Sequence, residues 1–305
     1  MNTQFFARVV SASLFAISLS VAAEQSPPSA DQSQQSYLPF KFSPDIAQKG
    51  FFNLDAEWFG SMGFDKTYYH NSDINVSQPG LGNNFTVNNV QGHDEYKTPG
   101  LRSPDNLRIG RFIDKDRIWG VELSLDHNKF TSTANQTANV TGVMGPNTNN
   151  NPNYLGLGSQ QLTNKSFAYM LHNGLNSLMV SAVYRKPLIG QIADSSSLSF
   201  IAKIGTGLAI VHPYNEISGN ENDVGQKDWT NVIGFNSGWW RIVGTSTGVE
   251  AGLRYEIRKP VYVEFTNKQI FTEMNNIPVY QGSSSQKLWS SQYVLSVGYE
   301  FGGLR

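Results

Sequence analysis

Cysteine is absent from this chain of 305 residues. That excludes a disulfide framework, a thiolate metal site and a thiol nucleophile. Charge is scarce as well: 15% of residues are Asp, Glu, Lys or Arg, and the formal balance is −1. A near-neutral chain carries no electrostatic footprint for nucleic acid, so no nucleic-acid partner is expected. Histidine occurs five times, at 70, 93, 127, 172 and 212, which keeps the census of acid–base and metal-binding groups short. After residue 21 no segment approaches the ~18 consecutive apolar residues of a membrane-spanning helix.

The one apolar stretch stands at the start. Arg8 precedes Val9 to Val21, and Val21-Ala22-Ala23 comes just before Glu24. A positive start, a short apolar run and small residues at its end read as a secretory signal peptide over 1–23. The run is too short for an anchor of ~20 residues. Residues 24–49, rich in Gln, Ser and Pro, read as a disordered periplasmic lead-in. The remainder, 50–305, is expected to form one domain in the cell outer membrane, since all-β barrels of this size are single units.

What the sequence does have is alternation. In Phe52-Asn53-Leu54-Asp55-Ala56-Glu57-Trp58 apolar residues take one face and acids the other. The same period of two returns in Val121-Glu122-Leu123-Ser124-Leu125-Asp126, in 249–257, in 261–265 and in 293–301. Alternating segments of about ten residues separated by turns are the signature of a transmembrane β-barrel. A soluble sandwich alternates too. The barrel is favoured by Trp58, Tyr255 and Phe301 at strand ends, by charges of both signs on the opposite face, and by the export signal. The expected fold is therefore all-β, a transmembrane antiparallel β-barrel with long extracellular loops. Short turns at 114–117 and 258–260 contrast with polar stretches at 65–103, 131–163, 213–244 and 273–286, the asymmetry of periplasmic turns and outer loops.

An even strand number is required of a bacterial single-chain barrel. Reading 165–186 as one strand with a bulge at Asn173-Gly174 gives eight: 51–62, 106–113, 117–129, 165–186, 198–212, 246–257, 260–272 and 287–301. The alternative of ten splits that segment and adds 232–243. The inward set includes Asp55, Glu57, Arg108, Glu122, Asp126, Arg185, Lys203, Glu250, Arg254, Glu256, Glu264 and Lys268. An eight-strand barrel is just wide enough to be filled by side chains, so these charges are expected to pair and close the lumen.

Three histidine-containing clusters fall at the expected outer rim: Gly92-His93-Asp94-Glu95, Asp126-His127-Asn128-Lys129, and His212 with Glu216. Histidine with carboxylate serves either a divalent metal or acid–base work. Rim residues of these types also simply meet lipid phosphates or water. Gly205-Thr206-Gly207 lacks the G-x-x-x-x-G-K pattern of a phosphate loop, and its glycines instead relieve crowding in a narrow barrel. Regular alternation points His127 towards lipid and Asp126 into the barrel.

Several of these segments together resemble the lipid A oxidase family of outer-membrane barrels. They are 104–112, Trp119-Gly120-Val121-Glu122-Leu123 with Asp126-His127-Asn128-Lys129, Leu171-His172-Asn173-Gly174-Leu175-Asn176, and 204–213 ending His212-Pro213. The resemblance spans roughly 90–301. It implies oxygen-dependent oxidation of the proximal glucosamine of lipid A to an aminogluconate unit, with hydrogen peroxide released and a divalent cation needed. Matching positions are Asp126, His127, Lys129, His172, Asn173 and His212, and the Asn-rich insertion at 132–153 departs from the pattern. On this reading Asp126, His127 and Lys129 are the catalytic candidates. His172, Asn173 and Arg111 are the binding candidates, and His127, His212 and His93 would hold a divalent metal ion. The partner would be outer-membrane lipid or lipopolysaccharide. The alternative is a non-enzymatic surface barrel, an adhesin or structural protein whose long Asn-, Ser- and Gly-rich loops meet an extracellular partner.

Overall fold

The computed structural model describes residues 57–95, 104–114, 116–147, 150–192, 194–223, 230–235 and 238–301. The expected signal peptide, lead-in and Asp55 lie outside these residues, as do the side chains of His172 and Asn173. Eight long strands carry the architecture: β1 (Trp58–Tyr69), β2 (Asn106–Phe112), β3 (Trp119–Ser132), β4 (Phe167–Ile189), β5 (Leu198–Ile217), β6 (Trp240–Arg258), β7 (Val261–Val279) and β8 (Gly282–Phe301). Each pairs antiparallel with the next, and β8 pairs back onto β1. Among the described residues these eight close a ring, and no α-helix occurs.

β4 is continuous over 23 residues. On both of its neighbours the register jumps while β4 passes from Leu171 to Leu175, across Asn128/Phe130 on β3 and Val211/Pro213 on β5. Residues 172–174 therefore bulge opposite Lys129 on one side and His212 on the other. Gly174 supplies the backbone conformation, with φ of 129°, which residues with a Cβ rarely adopt. Among the described residues of 232–243, no barrel strand is added ahead of β6. Ile233–Gly234 lies parallel to Trp240–Arg241 at the start of β6.

The strands β4 to β8 run 19–23 residues, about twice the ~9–11 that a tilted strand needs to cross a bilayer. Their two halves are built on opposite plans. Near the short turns, Met62, Leu107, Leu123, Val249, Leu253, Phe265 and Leu295 are exposed on the outer wall, and Trp119, Tyr255 and Phe301 edge it. The interior there is ionic. Lys203 bonds to Glu122 at 2.9 Å and to Glu264 at 2.8 Å, Arg108 to Glu250 at 2.6 Å, and Arg254 to Glu264 at 2.9 Å. Arg185 bonds to Glu256 at 2.6 Å, and Asp126 is held by Lys268. At the turn end Arg254 lies 3.9 Å from the centroid of Tyr262 and 5.1 Å from that of Phe59. Pairing both signs answers the cost of burying either, and the packed side chains close the lumen.

The other half corrects the expectation of long polar loops. β1 continues to Tyr69 and β5 to Ile217, into segments read as loop, and the connections themselves fold. Strands Ser72–Gln78, Asn83–Val90, Thr137–Val143 and Gly158–Gln161 extend the sheet outward from the top of β8. They enclose an apolar core that includes Ile74, Val76, Phe85, Val87, Phe130, Val140, Tyr169, Met274 and Ile277. Amides and hydroxyls pair across their outward face: Thr86 Oγ1 donates to Asn75 at 2.7 Å, and Asn88 Nδ2 to Thr141 at 3.0 Å. The chain is thus a two-tier barrel, with polar inside and apolar outside below, and the reverse above.

Candidate functional site

Where the tiers meet, a polar pair bridges the outer face of β3 and β4, and the residue in register with it on β5 is Ile210. His127 and Asn176 are register partners on β3 and β4, and His127 Nδ1 lies 2.6 Å from Asn176 Oδ1. Asn176 Nδ2 donates to the Ile210 carbonyl of β5 at 3.1 Å, so the amide oxygen is the atom facing the imidazole. His127 Nδ1–H therefore donates. Gly174 packs against this pair, where a Cβ would collide with the Asn176 side chain.

His212 stands two residues beyond Ile210 on β5, opposite the bulge of β4. Its Nδ1 donates to the Trp239 carbonyl at 2.7 Å, its ring lies 4.2 Å from the Trp239 ring, and only 3% of the residue is exposed. Lys129, two residues beyond His127 on the same face, has its Nζ 3.3 Å from Glu95, and its backbone N–H donates to Asp94 at 3.2 Å. The bulge carrying His172 and Asn173 sits between Lys129 and His212.

Other candidates fall elsewhere. Asp126 is fully buried inside the barrel against Lys268, so it and His127 face opposite sides of one wall. The pairing through Asp126, His127 and Asn128 is regular, and the bulge that could have brought them together comes after Asn128. Arg111 is buried opposite Val121, its guanidinium 5.9 Å from the centroid of Trp58, at the turn end of the barrel. His93 pairs beside Thr131 and is exposed, with Nδ1 3.3 Å from Thr133 Oγ1.

An Nδ1 donating to an oxygen acceptor is the orientation of a metal-ligating imidazole, and His127 and His212 both have it. Yet among the described residues no group of three or more His, Asp or Glu side chains comes together as a metal site. His127, His212 and His93 are each tied to a different neighbour. The residues present do not assemble the three-histidine centre, and no step is routed through a metal.

Two participants were not singled out from sequence, Asn176 and Trp239. The available signal for Asn176 was an amide on a face otherwise carrying Leu178, Val180 and Ala182. Trp239 carried less, since its contact depends on a loop folding back across β5.

The class this fold defines is the transmembrane antiparallel β-barrel. No family model matches the chain, and no curated protein does. Solved structures aligned with it include Ail, the attachment invasion locus protein of Yersinia pestis, at 14% identity and TM-score 0.30, covering 81% of this chain and 99% of that one. OprG of Pseudomonas aeruginosa aligns at 14% identity and TM-score 0.34, covering 81% and 97%. The outer membrane protein AlkL aligns at 11% identity and TM-score 0.34, covering 92% and 98%. The assignment to this class rests on the strand pairing and the two-sided burial pattern of the chain itself.

Proposed function

We propose that this chain is an outer-membrane barrel that acts on a lipid of the outer leaflet from its outer wall. The carrying observation is the hydrogen-bonded pair of His127 and Asn176 on the outer wall, one outward position above the Leu125–Leu178 pair of the apolar belt. In a membrane barrel with long connections outside, that height is the outer-leaflet headgroup layer. The Nδ1 of His127 being taken by Asn176, Nε2 is the ring nitrogen left to a sugar hydroxyl, and Lys129 lies alongside for a phosphate. The resemblance to lipid A oxidases gives the reaction class, oxygen-dependent oxidation of the proximal glucosamine. Mass spectrometry of lipid A from aerated cells tests this reading. Cells expressing the wild type should carry a modified species that His127→Ala cells lack, and identical profiles would remove the enzymatic reading.

A second reading has its own observation. The upper tier possesses a buried apolar core and so holds a fixed polar surface beyond the membrane, as a surface-binding or structural barrel requires. On that reading His127→Ala leaves cell-surface binding intact.

A further inference from the structure

In the upper tier both neighbours of β8 lose their register near Gln286. On β7 the pairing jumps from Met274–Gln286 to Ile277–Ser284, which leaves one residue in excess on β7. Asn276 takes this bulge with φ of 57°, a left-handed state that asparagine adopts more readily than most residues. On the other side β1 pairs with β8 up to Tyr69–Ser290, and pairing resumes at Ile74–Gln286, again with one residue in excess. Bulges re-aim side chains and interrupt regular pairing. Here they border a cavity of about 370 Å³ lined by Asn71, Asp73, Asn75, Asn275, Ser285 and Lys287, among others. That volume falls within the ~300–1,000 Å³ of ligand pockets.

The lining offers neutral hydrogen bonding. Its charges are already engaged: Lys287 Nζ lies 3.1 Å from Glu273, and Asp73 Oδ1 accepts the Asn89 backbone N–H at 2.7 Å. Gln286 also lines the cavity and is 1% exposed. Its Nε2 donates to Ser72 Oγ at 2.8 Å, and its Oε1 has no hydrogen-bond partner among the described residues. A buried amide oxygen left unpaired is costly, and a ligand hydroxyl would satisfy it. One outward position below Glu273 and Lys287 stand Phe271 and Trp289, the indole 36% exposed.

We propose that this cavity binds a neutral saccharide presented outside the cell. The proposal rests on the reading of the chain as a surface-binding barrel and names the chemistry of its partner. Amides and hydroxyls match the donors and acceptors of sugar hydroxyls, and the exposed indole suits the apolar face of a sugar ring. A sulfated or phosphorylated ligand would call for Lys or Arg free to pair with it. An apolar side chain would call for an accessible hydrophobic wall, whereas Met274 in this lining is fully buried.

The full-length protein in detergent micelles is applied to an array of immobilised oligosaccharides, neutral and sulfated. The wild type should retain neutral oligosaccharides in preference to sulfated ones. Asn71→Leu and Asn275→Leu, at exposed positions, should each weaken that binding about tenfold. Ser285→Trp, which fills the cavity, should abolish it, with strand circular dichroism reporting that the barrel is folded. Wild-type binding by all three folded variants would overturn the cavity as the seat. Binding of sulfated oligosaccharides alone would overturn the neutral-saccharide assignment. Failure on the array by a protein whose cells still attach to protein-coated surfaces would overturn the proposal and leave the surface-binding reading standing. Retention on the array by a protein whose cells attach to nothing would keep the saccharide seat and remove only that reading.

Discussion

The two tiers of this barrel share strands but not a solvent. On β7 the inward face reads Glu264, Thr266, Lys268 in the lower tier and Ile270, Thr272, Met274 in the upper. On β3 it reads Glu122, Ser124, Asp126 and then, beyond Asn128, Phe130. The alternation never stops along these strands; the chemistry of the two faces is exchanged. Below, the outer face meets hydrocarbon, so apolar groups go out and the narrow interior must be filled by groups that satisfy one another. Above, the outer face meets water and the usual burial of apolar surface returns. The His127–Asn176 pair stands at the exchange, where neither solvent dictates the outward residue.

The lower tier breaks most sharply at Glu264, which meets Lys203 at 2.8 Å, Arg254 at 2.9 Å and Arg108 at 3.4 Å. Glu264→Leu strands buried positive charge and should cost about 4 kcal/mol, read from urea unfolding in lipid vesicles. An effect below ~1 kcal/mol would mean that water, and not ion pairing, solvates the lumen. In the upper tier Phe85→Ala should cost about 3 kcal/mol. Its signature is local: hydrogen exchange should accelerate in 72–90 and 137–143 and stay slow in lower β6 and β7, and uniform acceleration would show the tiers to be one cooperative unit.

The smallest effect is a pH dependence confined to the upper tier. Burial holds the Tyr169 phenol well above the ordinary tyrosine range, and the Ser284 hydroxyl donates to it at 3.2 Å. The folded tier keeps this phenol neutral, whereas the unfolded chain releases its proton near pH ~10. Stability from this group is thus fully present below pH ~10 and declines as pH rises beyond it. Tyr169→Phe should flatten that decline in an alkaline titration of the upper-tier exchange rates.

The lower barrel was legible because each of its signals is local. Glu122-Leu123-Ser124-Leu125-Asp126 names its two faces by itself, and the short turns and Gly174 punctuate the strands. The upper tier carried equally local alternation in Ile74-Asn75-Val76 and Phe85-Thr86-Val87. Each run is short and embedded in Asn, Ser and Gly, so it reads as loop until the pieces meet. Of the site, the outward direction of His127 was readable from parity with Asp126. Its partnership with Asn176 was not, because it depends on the register between two strands separated by a long connection.

By itself, then, the amino-acid sequence determined the all-β alternation, the inward charges and the absence of thiol chemistry, since period-two patterning and composition need no partner to be read. Only the tertiary structure decided that the inward charges meet in specific pairs, that the connections build a second core, and that His127 and Asn176 pair on one face above the apolar belt. Those are facts of register and closure, set when residues distant in the chain are brought opposite one another and one face is turned to lipid.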